Sequence, residues 1–376
     1  MADTDEIRKL LGQCFFIGFE GPELAPEVTK FITDNAIGGV TLFANNYESP
    51  AQVAELANSI QAIRPKNPLF GLDGVPLVIA VDHEGGKVQR FRKPFTRFPE
   101  AHAIGDLDSP KLAFEIAEAQ AKELRAVGIN VVYAPVCDIN TNPDNPVIGR
   151  RAFGETEERV TKMVSAVVRG FVTNGVQPVA KHFPGHGDTA KDSHFHLPRV
   201  KTTLETLRGR ELRPFSKVFR SRCSMAMTAH IIVETIDPKL PATLSPKIIQ
   251  GLLREELRFA GLILSDDMEM KAVADHWGEI DAALMALEAG VNVLLYHTMP
   301  FITRVFEPLL AKLTSPEGAR ALAMLEASAN RVLDFKKANF ASYRPVYIPE
   351  IEAVVGSKEH QDLLKKVEKL IGAEPV

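Results

Sequence analysis

Short apolar, β-branched runs alternate along the chain with longer stretches whose apolar positions recur at helical spacing. The runs predict strands near 13–19, 37–43, 76–81, 130–136, 177–182, 224–229, 261–265 and 292–296. The intervening stretches predict helices near 23–35, 51–64, 110–127, 156–174, 203–220, 245–258, 278–289 and 301–313. The strand runs are almost continuously apolar, as expected of strands buried on both faces of a parallel sheet. Eight such pairs in succession predict a single-domain α/β fold, a (β/α)8 or TIM barrel. The stretch 110–127 illustrates the helical pattern. Ala113, Ile116, Ala117, Leu124 and Val127 share one face, Gln120 is the polar residue on it, and Gly128 follows the end. Ser245-Pro246 reads as a helix N-cap followed by proline at the first helical position. The alternative is an open doubly wound sheet. Against it, no G-x-G-x-x-G follows the first strand.

Beyond residue 314 the pattern predicts a helix over 316–337, a proline-containing stretch from Tyr343 to Pro349, and a last helix near 357–371. Leu363, Leu364, Val367, Leu370 and Ile371 form a stripe on that last helix, expected to pack on the barrel rather than form a dimer contact. The organisation expected is a catalytic barrel over 1–340 with a C-terminal extension over 341–376, acting as a monomer. Apolar residues make up 45% of the 376, enough for a large core. Lys plus Arg number 44 against 48 Asp plus Glu, a formal charge of −4, so no basic footprint for nucleic acid or an anionic membrane is present. Three cysteines, Cys14, Cys137 and Cys223, lie far apart and suggest neither a disulfide scaffold nor a zinc finger. The charged start lacks the apolar stretch of a signal peptide, and no run approaches the roughly 18 apolar residues of a membrane helix. A soluble cytoplasmic protein is expected, although a mature form with its signal removed would read the same way.

Candidate chemistry collects where a barrel would place it, after the C-terminal ends of strands. Asp82-His83-Glu84-Gly85-Gly86 follows the third strand, Asp138 to Arg151 the fourth, 181–198 the fifth, His230 the sixth, and Ser265-Asp266-Asp267 the seventh. The loop 181–198 is densest, with His182, His186, His194 and His196, four of the ten histidines, beside Asp188 and Asp192. Two chemistries fit it. One is metal ligation, because His-x3-His and His-x-His pairs with aspartates have ligand spacing. The other is acid–base catalysis, in which Asp192 fixes the tautomer of His194 and raises its basicity. The nearby cations Arg90 and Arg151 would repel a metal. In the seventh motif, an apolar strand runs straight into two carboxylates. Asp267 suits a helix cap, whereas Asp266 is placed to attack an anomeric carbon. In Asp82-His-Glu-Gly-Gly-Lys-Val-Gln-Arg90, the paired glycines admit a close ligand, Asp82 can accept sugar hydroxyls, and Arg90 can donate to them. Arg150 or Arg151 could serve similarly, or be solvated.

Taken together, VDHEGGKVQRF (81–91), NPVIGRRAF (145–153), KHFPGHGDT with DSH (181–194), MTAHI (227–231) and LLREELRFAGLILSDDM (252–268) resemble glycoside hydrolase family 3, in its β-N-acetylglucosaminidase (NagZ-type) branch. The likeness runs over about residues 8–335. It implies a barrel that removes β-linked N-acetylglucosamine from the non-reducing end with retention and needs no cofactor or metal. It further implies Asp266 as nucleophile, His194 assisted by Asp192 as acid/base, and Asp82, Arg90, Arg151, Lys181 and His182 as sugar contacts. The branch suggests a muropeptide substrate, N-acetylglucosamine linked to anhydro-N-acetylmuramic acid, in cell-wall recycling. In many two-domain relatives the acid is thought to come from a following domain. This chain stops about 40 residues after its last barrel helix, which favours a barrel loop as the source. Glu269, His83 and His196 depart from the family pattern. The alternatives are a metal-dependent barrel hydrolase using His182 to His196, a family glycosidase of other sugar specificity, and a sugar-binding protein with a degenerate site.

Overall fold

A computed structural model describes residues 3–64, 74–189, 197–341 and 344–372. Eight parallel strands close into a barrel: β1 (Phe15–Ile17), β2 (Gly39–Leu42), β3 (Val78–Val81), β4 (Val131–Val132), β5 (Gln177–Phe183), β6 (Met225–Thr228), β7 (Leu262–Asp267) and β8 (Val293–Tyr296). Each strand pairs with its neighbours in sequence, and β1 closes the ring by pairing Phe15 with Leu294. The TIM barrel expected from the apolar pattern is the fold observed.

The period of two in each strand sorts its residues between two cores. Phe16, Val78, Ala80, Val131, Val179, Met225, Leu262, Leu264 and Val293 fill the barrel interior. Ile17, Val40, Leu42, Ile79, Val81 and Ile263 belong to the core under the surrounding helices. Space inside is tight enough to dictate a glycine. A Cβ on Gly39 would lie 2.8 Å from the Phe16 ring and 2.7 Å from Val78 Cβ. The helix Ala319–Phe340 contributes Val332, Phe335 and Phe340 to the interior cluster. Its Lys336 is buried and donates to Gln13 just before β1, which places this helix at the end of the barrel where strands begin. Burial pushes the Lys336 amine down to about 7. The opposite end is left open.

The wall helix expected over 110–127 runs Pro110–Ala126, capped by Ser109 accepting from Leu112 N, and its apolar face and Gln120 are buried. The stretch expected as one helix over 203–220 is three segments, Leu204–Thr206, a wider-wound Leu207–Glu211 and Leu212–Arg220. The strand expected over 130–136 is regular only at Val131–Val132, because Pro135 has no N–H to give the ladder. Beyond it, Lys181 N still donates to Pro135 O and Cys137 N to Lys181 O. Helices Thr4–Gln13, Ala101–Asp106 and Lys271–Trp277 were not expected.

The C-terminal helix Lys358–Ile371 packs on the barrel as expected, but only partly through its stripe: Val367 is fully buried, whereas Leu370 is 55% exposed. The stronger anchor is polar. The buried Glu123 carboxylate accepts from Thr96 N, Thr96 Oγ1, Gly356 N and His360 Nδ1. Four donors compensate the desolvation of one carboxylate and join the chain end to the segment that follows the β3 loop. All three cysteines are buried and free, and no described helix is long and apolar enough to cross a membrane.

Candidate active site

After β3 the chain forms a short antiparallel ribbon, His83–Gly85 with Val88–Gln89. Its turn needs glycine, since Gly86 has φ +56° and a Cβ there would lie 2.6 Å from Glu100 Cβ. The extended backbone points Asp82 and Glu84 the same way, and both meet Lys181 from the end of β5. Lys181 Nζ lies 2.8 Å from Asp82 Oδ1 and 2.7 Å from Glu84 Oε1, and the residue is 2% exposed. Arg90 Nη2 donates to Asp82 Oδ2 at 2.9 Å. Arg151 grips Glu84 with two parallel bonds, Nε to Oε2 at 2.9 Å and Nη2 to Oε1 at 2.7 Å. The result is one continuous ionic chain, Arg90–Asp82–Lys181–Glu84–Arg151. Burial disfavours both carboxylates, but the cations on them win. Asp82 is held far below the usual carboxylate range by Lys181 and Arg90, and Glu84 is lowered to about 2 by Arg151 and Lys181.

Of the two adjacent arginines, Arg151 turns inward, while Arg150 is 60% exposed and paired with Glu100. His182 follows Lys181, and its Nδ1 lies 2.7 Å from Asp138 Oδ2, which fixes the ring. Asp138 also accepts from the backbone N of His182 and of His186. It is held below the ordinary range because His182, His186 and these amides outweigh its burial. The second histidine of this loop, His186, is pushed down to about 4, chiefly by burial and then by His182, and its Nδ1 pairs with Thr189 Oγ1.

Asp266, at the end of β7, faces the same cleft. Its Oδ1 accepts from Asp267 N at 2.9 Å. Burial alone would raise its pKa, but His182, His230, the Asp267 amide and Lys181 lower it overall, so it stays ionised. His230, after β6, is oriented by Thr243 Oγ1 at Nδ1 and by the Asp267 carbonyl at Nε2. The cleft has a volume of about 690 Å³, and Asp82, Arg90, Arg151, Lys181, His182, Asp266 and Asp267 are among its lining residues. That is the size range of small-molecule sites.

Asp267 departs from the expected capping role. Its Oδ1 does accept from Glu269 N at 3.0 Å, but the side chain lines the cleft. Burial, then Glu269, Asp266 and Asp82, push it up to about 8. Between its ordinary value near 4 and about 8, the folded chain binds a proton that the unfolded chain releases, so this group's contribution to stability falls as pH rises. Asp267→Asn therefore gains melting temperature over wild type at about pH 8 but not at about pH 4. Equal differences at both pH values would refute the assignment.

Two departures from the family pattern acquire a local reason. Glu269 Oε1 accepts from His297 N and Thr298 N, and Oε2 accepts from Thr298 Oγ1, tying the loop after β7 to that after β8. His83 is fully buried between Phe91 and Phe95 and pushed down to about 4 by burial. The third, His196, and the expected acid/base pair Asp192 and His194, lie outside the described residues. The other six expected site residues, Asp82, Arg90, Arg151, Lys181, His182 and Asp266, are together in the cleft. Among the described residues, no group of three or more His, Cys, Asp or Glu side chains is arranged to hold a metal ion. Sequence reasoning missed Glu84, although the i, i+2 spacing to Asp82 in an extended segment was a usable signal. It also missed the orienting role of Asp138.

The sequence signature of the glycosyl hydrolase family 3 N terminal domain matches residues 6–335. The chain belongs to glycosyl hydrolase family 3. It is thus a glycoside hydrolase, and the expected β-N-acetylglucosaminidase branch is borne out. A beta-hexosaminidase of Methylococcus capsulatus is 40% identical over 309 residues, 81% of this chain and 89% of that protein. Among solved family 3 structures, a beta-N-acetylglucosaminidase from Paenibacillus sp. str. FPU-7 is 36% identical with a TM-score of 0.84, covering 96% of this chain and 68% of that one. NagZ from Neisseria gonorrhoeae, in complex with N-trifluoroacetyl-D-glucosamine, is 28% identical with a TM-score of 0.77, covering 96% and 98%.

Proposed function

We propose that this family 3 chain is a retaining exo-β-N-acetylglucosaminidase that releases non-reducing-end N-acetylglucosamine. The observation that carries the reading is a half-buried Asp266, held ionised by its neighbours, facing a preformed ionic cluster across one cleft. The names of relatives similar over most of this chain supply the sugar.

In this reading Asp82, Arg90, Lys181, His182 and Arg151 bind the sugar hydroxyls and amide. Ion pairs among them and with Glu84 and Asp138 hold them in place before the sugar arrives, so little ordering remains to be done on binding. Asp266 Oδ attacks C1, and the C1–O bond to the leaving group breaks as His194, oriented by Asp192, protonates the departing oxygen. Water then adds to C1 of the glycosyl ester, His194 takes its proton, and the Asp266 carboxylate is regenerated. The substrate favoured is a muropeptide carrying N-acetylglucosamine on anhydro-N-acetylmuramic acid, in a cytoplasmic cell-wall recycling role.

The test is hydrolysis of a chromogenic β-N-acetylglucosaminide beside the matching β-glucoside, both with excess chelator. Turnover of the acetamido sugar alone is expected. Preference for the glucoside would overturn the sugar assignment. Activity that needs added zinc would transfer the 182–196 loop to metal chemistry.

A further inference from the structure

The ionic cluster and Asp266 occupy one side of the barrel mouth. In the ring order, β7, β6, β5, β4 and β3 span the arc from Asp266 through His230, Lys181, His182 and Arg151 to Asp82. Among the described lining residues, the other arc, β8, β1 and β2, contributes no Asp, Glu, Lys or Arg side chain. It carries an aromatic face instead. Phe43, just after β2, and His297, just after β8, stack with ring centroids 3.9 Å apart and planes inclined by 23°. Both line the same cleft as Asp266, and His297 is 44% exposed.

The face is built to stay in place. Glu269 accepts from the backbone N of His297 and Thr298 and from Thr298 Oγ1. Phe43 N donates to Asn46 Oδ1 at 2.7 Å. Between them the chain passes at Gly18, where a Cβ would sit 2.3 Å from His297 O and 2.8 Å from Phe43 Cε2. Only glycine fits between the His297 carbonyl and the Phe43 ring. A part-buried carboxylate, a close-packed glycine and an Asn cap together fix two half-exposed rings on the rim.

A pyranose has a C–H-bearing face that packs on the electron-rich face of an aromatic ring. The cleft also exceeds the space one pyranose fills, and the polar cluster accounts for only one sugar. We propose that the Phe43–His297 stack is the binding face for the second sugar ring, the one on the far side of the cleaved bond in an N-acetylglucosamine-containing oligosaccharide. The proposal rests on the N-acetylglucosaminidase reading and adds a source of selectivity for a saccharide leaving group.

The test compares kcat/KM for the β-1,4-linked disaccharide of N-acetylglucosamine with that for methyl β-N-acetylglucosaminide, which has no second ring. In His297→Ala and Phe43→Ala the ratio of the two falls about tenfold, and His297→Phe restores most of it. Thermal melts accompany each variant. An unchanged ratio in both alanine variants overturns this proposal alone. An equal fall on both substrates also overturns it, because the rings would then only support the cluster. Wild-type protein that cleaves neither substrate overturns the N-acetylglucosaminidase reading, and this proposal with it.

Discussion

Asp266→Asn loses turnover by about 10⁴-fold or more while the chain stays folded. The substitution is nearly isosteric, and its side-chain oxygen can still accept from Asp267 N, as Asp266 Oδ1 does at 2.9 Å. What disappears is the charge. In wild type, His182, His230 and Lys181 keep Asp266 ionised against its burial. A neutral amide cannot attack an anomeric carbon. Because the surroundings lower the pKa of Asp266 overall, its charge is net favourable in the fold, so near neutral pH the melting temperature falls modestly while the folded state persists. The measurements are single-turnover kinetics and a thermal melt on the same sample. Activity close to wild type would remove Asp266 from the chemistry. A lost melt would show only that the variant had unfolded.

Glu84→Gln has the second largest expected effect, on stability and on catalysis together. Glu84 is the shared anion of Lys181 and Arg151. Replacing it leaves the partly exposed Arg151 without a carboxylate and Lys181 with Asp82 alone, so the loss lies below the about 3–5 kcal/mol for removing one partner of a fully buried pair. Urea unfolding should show that loss. Arg151 loses its fixed position and Lys181 one of its two anchors, so KM rises more than kcat falls, with kcat/KM lower by about 100-fold. A pH dependence follows from the same pairing. The folded-state pKa of Glu84 is lowered from 4.5 to about 2, so its contribution to stability is full above about 4.5 and is lost as pH falls toward about 2. Wild-type protein should therefore lose more stability than Glu84→Gln over that acid window. A variant with unchanged stability and KM would mean that the ionic chain is a surface decoration.

Much of this was legible in the residues. The continuous apolar runs specified strands buried on both faces, and eight of them with intervening helical patterns specified the barrel. The polar segments after strands three, four, five and seven specified which end would be active. Asp82, Arg90 and Asp266 could be singled out because each stands at a strand end or in its loop, whereas Lys181 and His182 entered as sugar contacts only through the family likeness. Arg151 could not be separated from Arg150 by spacing alone, and only the family likeness favoured it. The structure separates them because Arg151 finds a buried bidentate partner and Arg150 does not.

What the sequence determined by itself was therefore local: strand and helix periods, caps such as Ser245-Pro246, and the clustering of polar groups beside apolar runs. These are set by the geometry of a few neighbouring residues. The tertiary structure decided which distant groups share a charge. Arg151 meets Glu84 across 67 residues, Lys181 meets Asp82 across 99, and His360 meets Glu123 across 237. It also decided that Asp267 is driven up to about 8 while its neighbour Asp266 is lowered. The sequence separated these two carboxylates by position alone, and could not assign their charge states. Burial and the charges brought up by other strands distinguish them, and those exist only once the barrel has closed.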